Sequence, residues 1–200
     1  MMKEESGDLF EGGPAERVVI GLDGSLTKYG ICVLGLETGR FTAFRYTPKY
    51  KGARRLFEVY EMIQVLIMFV NRNYDLVEIT MEGYSFGSKG SQAHKIGEGG
   101  AATKLALVTL LGGDDRLAYP TLVSPNAVKK FATGKGSGDK NIILMRVFKK
   151  WGVEFSDDNM ADSFVLSKIA AAVVCDETDH EYESEVVASL ERSTEWEPLT

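Results

Sequence analysis

The stretch "VVIGLDGSLTKYGICVLGLETG", residues 18–39, decides how the rest of the chain is read. An apolar run of β-formers reaches Asp23 and meets Gly24-Ser25, and a second apolar run starts at Gly30-Ile31. Two such runs joined by a short glycine-containing turn read as adjacent antiparallel strands. Asp23 closes a strand built for the core. A buried unpaired carboxylate is costly enough that it changes its pKa or finds a partner. A cation is one such partner, so the other acids of the chain become candidates to share it.

Working outward, Val18–Asp23, Gly30–Leu36 and Phe41–Thr47 form an expected three-strand meander. Residues 53–74 carry Leu56, Tyr60, Ile63, Ile67 and Val70 at helical spacing. Asp75–Gly83 reads as a fourth strand that again ends in an acid and a glycine, "EITMEG". A helix is expected over residues 93–111 despite its glycines, and "AYPTLVSP", residues 118–125, reads as the fifth and last strand. Ser124 is a fitting N-cap with Pro125 at the first helical position, which starts a short helix through Phe131. "TGKGSGDK" is a break, Asn141–Trp151 a helix, and a last helix runs from about "SDDN" through Val174. The pattern is a mixed five-stranded α/β sheet flanked by helices.

Charge is divided along the chain. Of 200 residues with net charge −6, residues 1–16 hold five acids and one lysine, and residues 176–200 hold nine acids and one arginine. The remaining 17–175 carries 21 basic and 15 acidic residues. A basic body suits a polyanion, and acidic ends of this kind are usually solvated and disordered. The expected organisation is therefore an acidic, disordered tail over 1–16, a single basic domain over 17–175, and an acidic tail over 176–200. The apolar runs are too short to span a bilayer and the acidic N-terminus lacks the apolar core of a secretory signal. Cys32 and Cys175 form no CxxC pair and read as buried thiols in a reducing compartment. A cytoplasmic protein with no membrane association is expected.

Asp23 and Glu82 share a setting, each closing a strand before a glycine. Ligands in open α/β sheets collect beyond strand ends, so the two carboxylates converge if the strands are neighbours. In "FSDDNMADSFVLSKIAAAVV", Asp158 and Asn159 stand four and three residues before Asp162, on one side of a helix. Below them, Ala161, Val165, Ile169 and Ala172 make a stripe that presses the helix onto the sheet. Helix capping accounts for some of these acids but not for Asp162, a full turn inside. His94 and His180 are isolated, so the donors are hard oxygens, which favour Mg²⁺ or Mn²⁺ over zinc. Several carboxylates can hold two ions roughly 3.5–4 Å apart and clamp the attacking and leaving oxygens of a phosphodiester. Hydrolysis of a phosphodiester is the expected reaction.

In their order along the chain, "GLDGSLTKYGICVL", "ITMEGYSFGSKGSQAHKIGEGGAATKLAL", "VSPNAVKKFATGKGSGDKNIILMRVFKKWGV" and "DDNMADSFVLSKIA" resemble the RuvC family of Holliday junction resolvases, in the manner of its phage or viral members. The resemblance covers about 17–175. It implies a ribonuclease H-like fold, a homodimer, and Mg²⁺-dependent paired nicking of four-way DNA junctions in a bacterial or phage-infected cell. It matches the family's acids to Asp23, Glu82 and Asp162. Bacterial members place an acid or histidine three residues before the last of these, where this chain has Asn159. Either Asp158 reaches the metal or Asn159 supplies a neutral oxygen, and Asp158 is favoured. The family's lysine-rich stretch corresponds to Lys129, Lys130, Lys135 and Lys140, expected near phosphates. The loop after Glu82 carries Tyr84, Phe86 and Lys89 as candidate DNA contacts, the aromatics by stacking or wedging. Another ribonuclease H-like nuclease that cuts flaps, branched DNA or RNA–DNA hybrids is the main alternative. The helix over 53–74 and the one over 97–111 both carry apolar surface enough for a dimer.

Overall fold

The computed structural model describes residues 3–6, 16–24, 27–83, 91–112, 114–136 and 140–190, with the backbone alone at 3–6, 91–96, 115–116 and 140–141. The strands are β1 (Lys3–Ser6), β2 (Arg17–Gly24), β3 (Tyr29–Gly35), β4 (Phe41–Tyr46), β5 (Asp75–Glu82) and β6 (Thr121–Val123). The helices are α1 (Ala53–Asn73), α2 (Ser91–Leu111), α3 (Asp115–Ala118), α4 (Pro125–Thr133), α5 (Lys140–Trp151), α6 (Asp158–Cys175) and α7 (Glu181–Ala188). Among the described residues the strands form one sheet in the order β1-β4-β3-β2-β5-β6. The meander β2-β3-β4 is antiparallel, and β5 and β6 join parallel to β2. The expected mixed five-stranded sheet flanked by helices is present, with β1 added antiparallel to β4 at one edge.

Alternation along the strands sorts the sheet into two faces, since successive side chains point opposite ways. Val18, Ile20 and Leu22 of β2 and Ile79 and Met81 of β5 pack in one cluster with Ile63 and Ile67 of α1 and Ala106 and Leu107 of α2. The opposite face is covered by α6, whose Phe164, Val165 and Ile169 share a second cluster with Val128 and Phe131 of α4 and Ile143 and Val147 of α5. Both faces are therefore covered, and β2 and β3 are buried along nearly their whole length.

Several boundaries differ from the sequence reading. The fifth strand shrinks to Thr121–Val123, because Ala118 belongs to α3 and Pro120 and Pro125 bracket the run, each lacking a ladder N–H. The acidic ends are not tails throughout. Lys3–Ser6 pairs with β4. Glu181–Ala188 is a helix whose Val186 is 2% exposed in the second cluster. The signal missed in "EYESEVVASL" is Tyr182, Val186 and Leu190 at four-residue spacing, hidden by the density of acids. His180, isolated in the sequence, is the N-cap residue of this helix, and its backbone N–H donates to Glu183 Oε2 at 3.3 Å. Cys32 is buried as expected, but Cys175 is exposed at the last turn of α6. No helix among the described residues is long and apolar enough to cross a membrane.

Candidate active site

Asp23 and Glu82 end neighbouring parallel strands. The β2–β5 register pairs Leu22 with Met81, which sets Asp23 beside Glu82. Because Leu22 and Met81 face α1 and α2, alternation turns both acids toward α6. Their carboxyl groups hydrogen-bond to each other, and Asp23 is only 4% exposed. Burial, then the charge of Glu82 and the hydrogen bond with it, hold the Asp23 carboxyl well above the usual carboxylate range; the charge of Asp158 adds to this. The side-chain amide of Asn159 opposes it by donating from Nδ2 to Asp23 Oδ2 at 2.7 Å.

What carries Asn159 to that position is a row across the sheet. Asp23 on β2 pairs with Gly30 on β3, and Gly30 pairs with Arg45 on β4. The first turn of α6 lies across all three. Arg45 Nη1 donates to Asp157 Oδ2 at 2.5 Å, and Asp157 caps the helix by accepting at Oδ1 from the Asn159 N–H. A Cβ on Gly30 would lie 2.1 Å from the Asn159 carbonyl oxygen, so only glycine lets the helix backbone settle there. One strand over, a Cβ on Gly21 would meet the Ser163 carbonyl oxygen at 2.1 Å and the Ser167 nitrogen at 2.4 Å. Ser163 and Ser167 are fully buried and return their hydroxyls to the helix carbonyls of Met160 and Phe164. The expected stripe Ala161, Val165, Ile169 and Ala172 is buried. The closest approach to the sheet, however, is made by the serines over glycine. Beside them, Thr80 of β5 donates to the Leu166 carbonyl at 2.8 Å.

The structure thus brings Asp23, Glu82, Asn159 and Asp158 together. Asp162 follows one turn later on the same side of α6, with its Oδ1 sealed from solvent. Among the described residues no three acidic, histidine or cysteine side chains converge closely enough to hold a metal ion by themselves. Like charges oppose such a cage: Asp23 and Glu82 instead share a hydrogen bond. The donor set still fits a hard divalent cation. Each candidate donor is an oxygen, and a buried carboxyl pair is stabilised either by a proton or by a cation in its place.

The basic segment is divided. Ser124 caps α4 by accepting from the Ala127 N–H at 3.2 Å, with Pro125 next, as expected. Lys135 is exposed and Lys129 half-buried, whereas Lys130 is tied to Glu185 of α7 at 2.5 Å. Lys140 opens α5, with only its backbone described. Tyr84, Phe86 and Lys89 lie outside the described residues, as does the side chain of His94. Burial raises the Cys32 thiol to about 12, so it is inert at neutral pH. Sequence reasoning missed Arg45 and the role of Gly30. An in-strand glycine opposite a candidate acid was the available signal.

No family model matches the chain, and no curated protein matches it in sequence. Solved structures do. RuvC of Thermus thermophilus superposes with a TM-score of 0.58 at 19% identity, covering 80% of this chain and 96% of that one. The same protein in complex with a Holliday junction substrate gives a TM-score of 0.57 at 19% identity, covering 75% of this chain and 90% of that one. At that identity the likeness shows the fold, which is that of RuvC.

Proposed function

We propose that the protein is a Holliday junction resolvase of the phage or viral type, a homodimeric endonuclease that makes paired, symmetric nicks in four-way DNA junctions. The observation that carries this reading is the hydrogen-bonded Asp23–Glu82 pair at the ends of adjacent parallel strands, crossed by the first turn of α6. On a RuvC fold, that is where a phosphodiester-cleaving site belongs.

Asp23, Glu82, Asp158 and Asp162 would hold Mg²⁺, or Mn²⁺ as a substitute, two ions per site. The bound ions supply Lewis-acid stabilisation of the attacking and leaving oxygens of a phosphodiester. Asn159 is spent on Asp23: its amide holds one carboxylate oxygen in place, which leaves Asp158 as the added acid of this turn. Lys129, Lys135 and Lys140 approach the phosphates, and Lys130 does so only once parted from Glu185. Tyr84, Phe86 and Lys89, in the loop after Glu82, contact the branch point. The second copy seats on α1 and α2. Phe57, Val65, Met68 and Phe69 on α1 and Leu105 on α2 are 46–67% exposed, and exposed apolar faces mark interaction sites. A two-fold dimer presents two sites to two strands of like polarity.

The test is cleavage of a synthetic four-way junction in Mg²⁺ beside linear duplex, a flap and an RNA–DNA hybrid. Symmetric nicks on the junction alone are expected, falling by at least about 10²-fold in Asp23→Asn, the scale on which preorganised electrostatic groups act. Equal cutting of flaps or hybrids would move the protein to a broader ribonuclease H-like nuclease.

A further inference from the structure

Helix α5 is apolar on two sides. Ile143 and Val147 enter the core below α6, but Ile142, Met145 and Phe148 are 37%, 46% and 54% exposed, interleaved with exposed Arg146 and Lys149. At 3.6 residues per turn, Phe148, Met145, Lys149, Ile142 and Arg146 follow one another around about 160° of the helix. DNA alone is a poor occupant, since phosphates satisfy the cations and leave three large apolar side chains facing charge. The face suits an acidic segment that carries aromatic and aliphatic anchors.

We infer that the occupant is the chain's own segment 191–200, "ERSTEWEPLT". It holds Glu191, Glu195 and Glu197 around Trp196 and Leu199, the complement of two cations set among Ile, Met and Phe. Its neighbour α7 already behaves this way. Glu183 pairs with Lys150 in the last turn of α5, and Glu185 pairs with Lys130 of α4. Val187 and Leu190 pack against the cluster that contains Ile143 and Val147. The acidic C-terminal region is thus anchored to the same basic subdomain, and Leu190 leaves it at the cluster to which α5 contributes Ile143 and Val147. Trp196 lies six residues past Leu190, a reach of roughly 20 Å when extended. The exposed stretch of α5 from Ile142 to Phe148 is about 9 Å long. Seated there, the segment covers Arg146 and Lys149 and keeps them from non-specific duplex.

Trp151 and Trp196 are the two tryptophans, so the difference between wild type and Trp196→Phe isolates the emission of Trp196 in the full chain. That component is expected blue of free tryptophan and several-fold protected from acrylamide quenching. Met145→Glu with Phe148→Glu, both on the exposed face, is expected to abolish the shift and the protection. Truncation after Leu190 keeps α7 and is expected to raise duplex affinity several-fold at low salt. It should also steepen the slope of log K against log salt by about 2, for two uncovered cations. A Trp196 emission that is solvent-like and unmoved by the double variant overturns the inference. So does a shift that grows with protein concentration, which would place a second copy on the face. Neither arm depends on nuclease activity.

Discussion

The two faces of the sheet are held by opposite means. Toward α1 and α2 the contact is made by long side chains, Ile20, Leu22, Ile63, Ile67 and Leu107, so helix and sheet are spaced by flexible aliphatic groups. Toward α6 the contact at the centre is backbone on backbone, with Gly21 and Gly30 below Ser163, Ser167 and Asn159. Side-chain packing tolerates volume changes by rotamer adjustment, whereas a backbone contact has nothing to adjust. The acids lie on the second face. A carboxyl pair that must meet one amide at 2.7 Å needs a helix whose height above the sheet is fixed, and glycine under a helix backbone fixes it.

The sharpest way to break this contrast is to give the glycines a methyl group. Gly21→Ala places a Cβ about 2 Å from two backbone atoms of α6, so the helix must lift along its length. The expected loss is about 3 kcal/mol or more, the upper range for overpacking. Ile67→Val, equally buried on the other face, should cost about 1 kcal/mol. Urea unfolding of the two variants makes the comparison, and equal losses would remove the distinction between the faces. Gly30→Ala should cost less than Gly21→Ala, because it displaces only the first turn, yet abolish cleavage by moving Asn159 off Asp23.

Much of this architecture was legible in the sequence and some was not. Strands β2 to β6, their order of appearance, α1, α4 and α6 follow from apolar periodicity and from Ser124-Pro125, whereas the polar β1 does not. Asp23 and Glu82 were legible because each closes an apolar strand before a glycine. Asp158, Asn159 and Asp162 were legible as one side of a helix, but their division of labour was not. That Asn159 points its amide at Asp23 depends on the height of α6, which is set by Gly30 and by the Arg45–Asp157 pair across 112 residues of chain. Pairings of that separation leave no local trace. The α7 helix was hidden for another reason: composition alone suggested a solvated tail, although its apolar residues were spaced for a helix.

A middle-sized effect sharpens the contrast electrostatically. With its pKa raised in the folded state, Asp23 keeps its proton above the range near 3.9 where an unfolded aspartate loses it. Between that range and the raised folded value the native state binds more protons. Stability in chelator should therefore fall as pH rises, by up to about 1.4 kcal/mol per pH unit. Asp23→Asn should flatten that slope, and Mg²⁺ at neutral pH should recover stability in wild type alone. Denaturation at several pH values with and without Mg²⁺ measures both, and an unchanged slope in the variant would locate the titration elsewhere.

The smallest effect on stability belongs to the outer surface of the α1 face. Met68 is 62% exposed and Val65 67%, so Met68→Glu should leave the unfolding free energy within about 0.5 kcal/mol. If a second copy covers this stripe, the same change buries an unpaired carboxylate in the dimer and drives dissociation. Light scattering should then report a monomer at concentrations where wild type is a dimer, and paired nicking should give way to uncoupled single nicks. A dimer that survives both Met68→Glu and Val65→Glu would mean that the stripe is not the interface. The long-side-chain face would then owe its shape to packing alone.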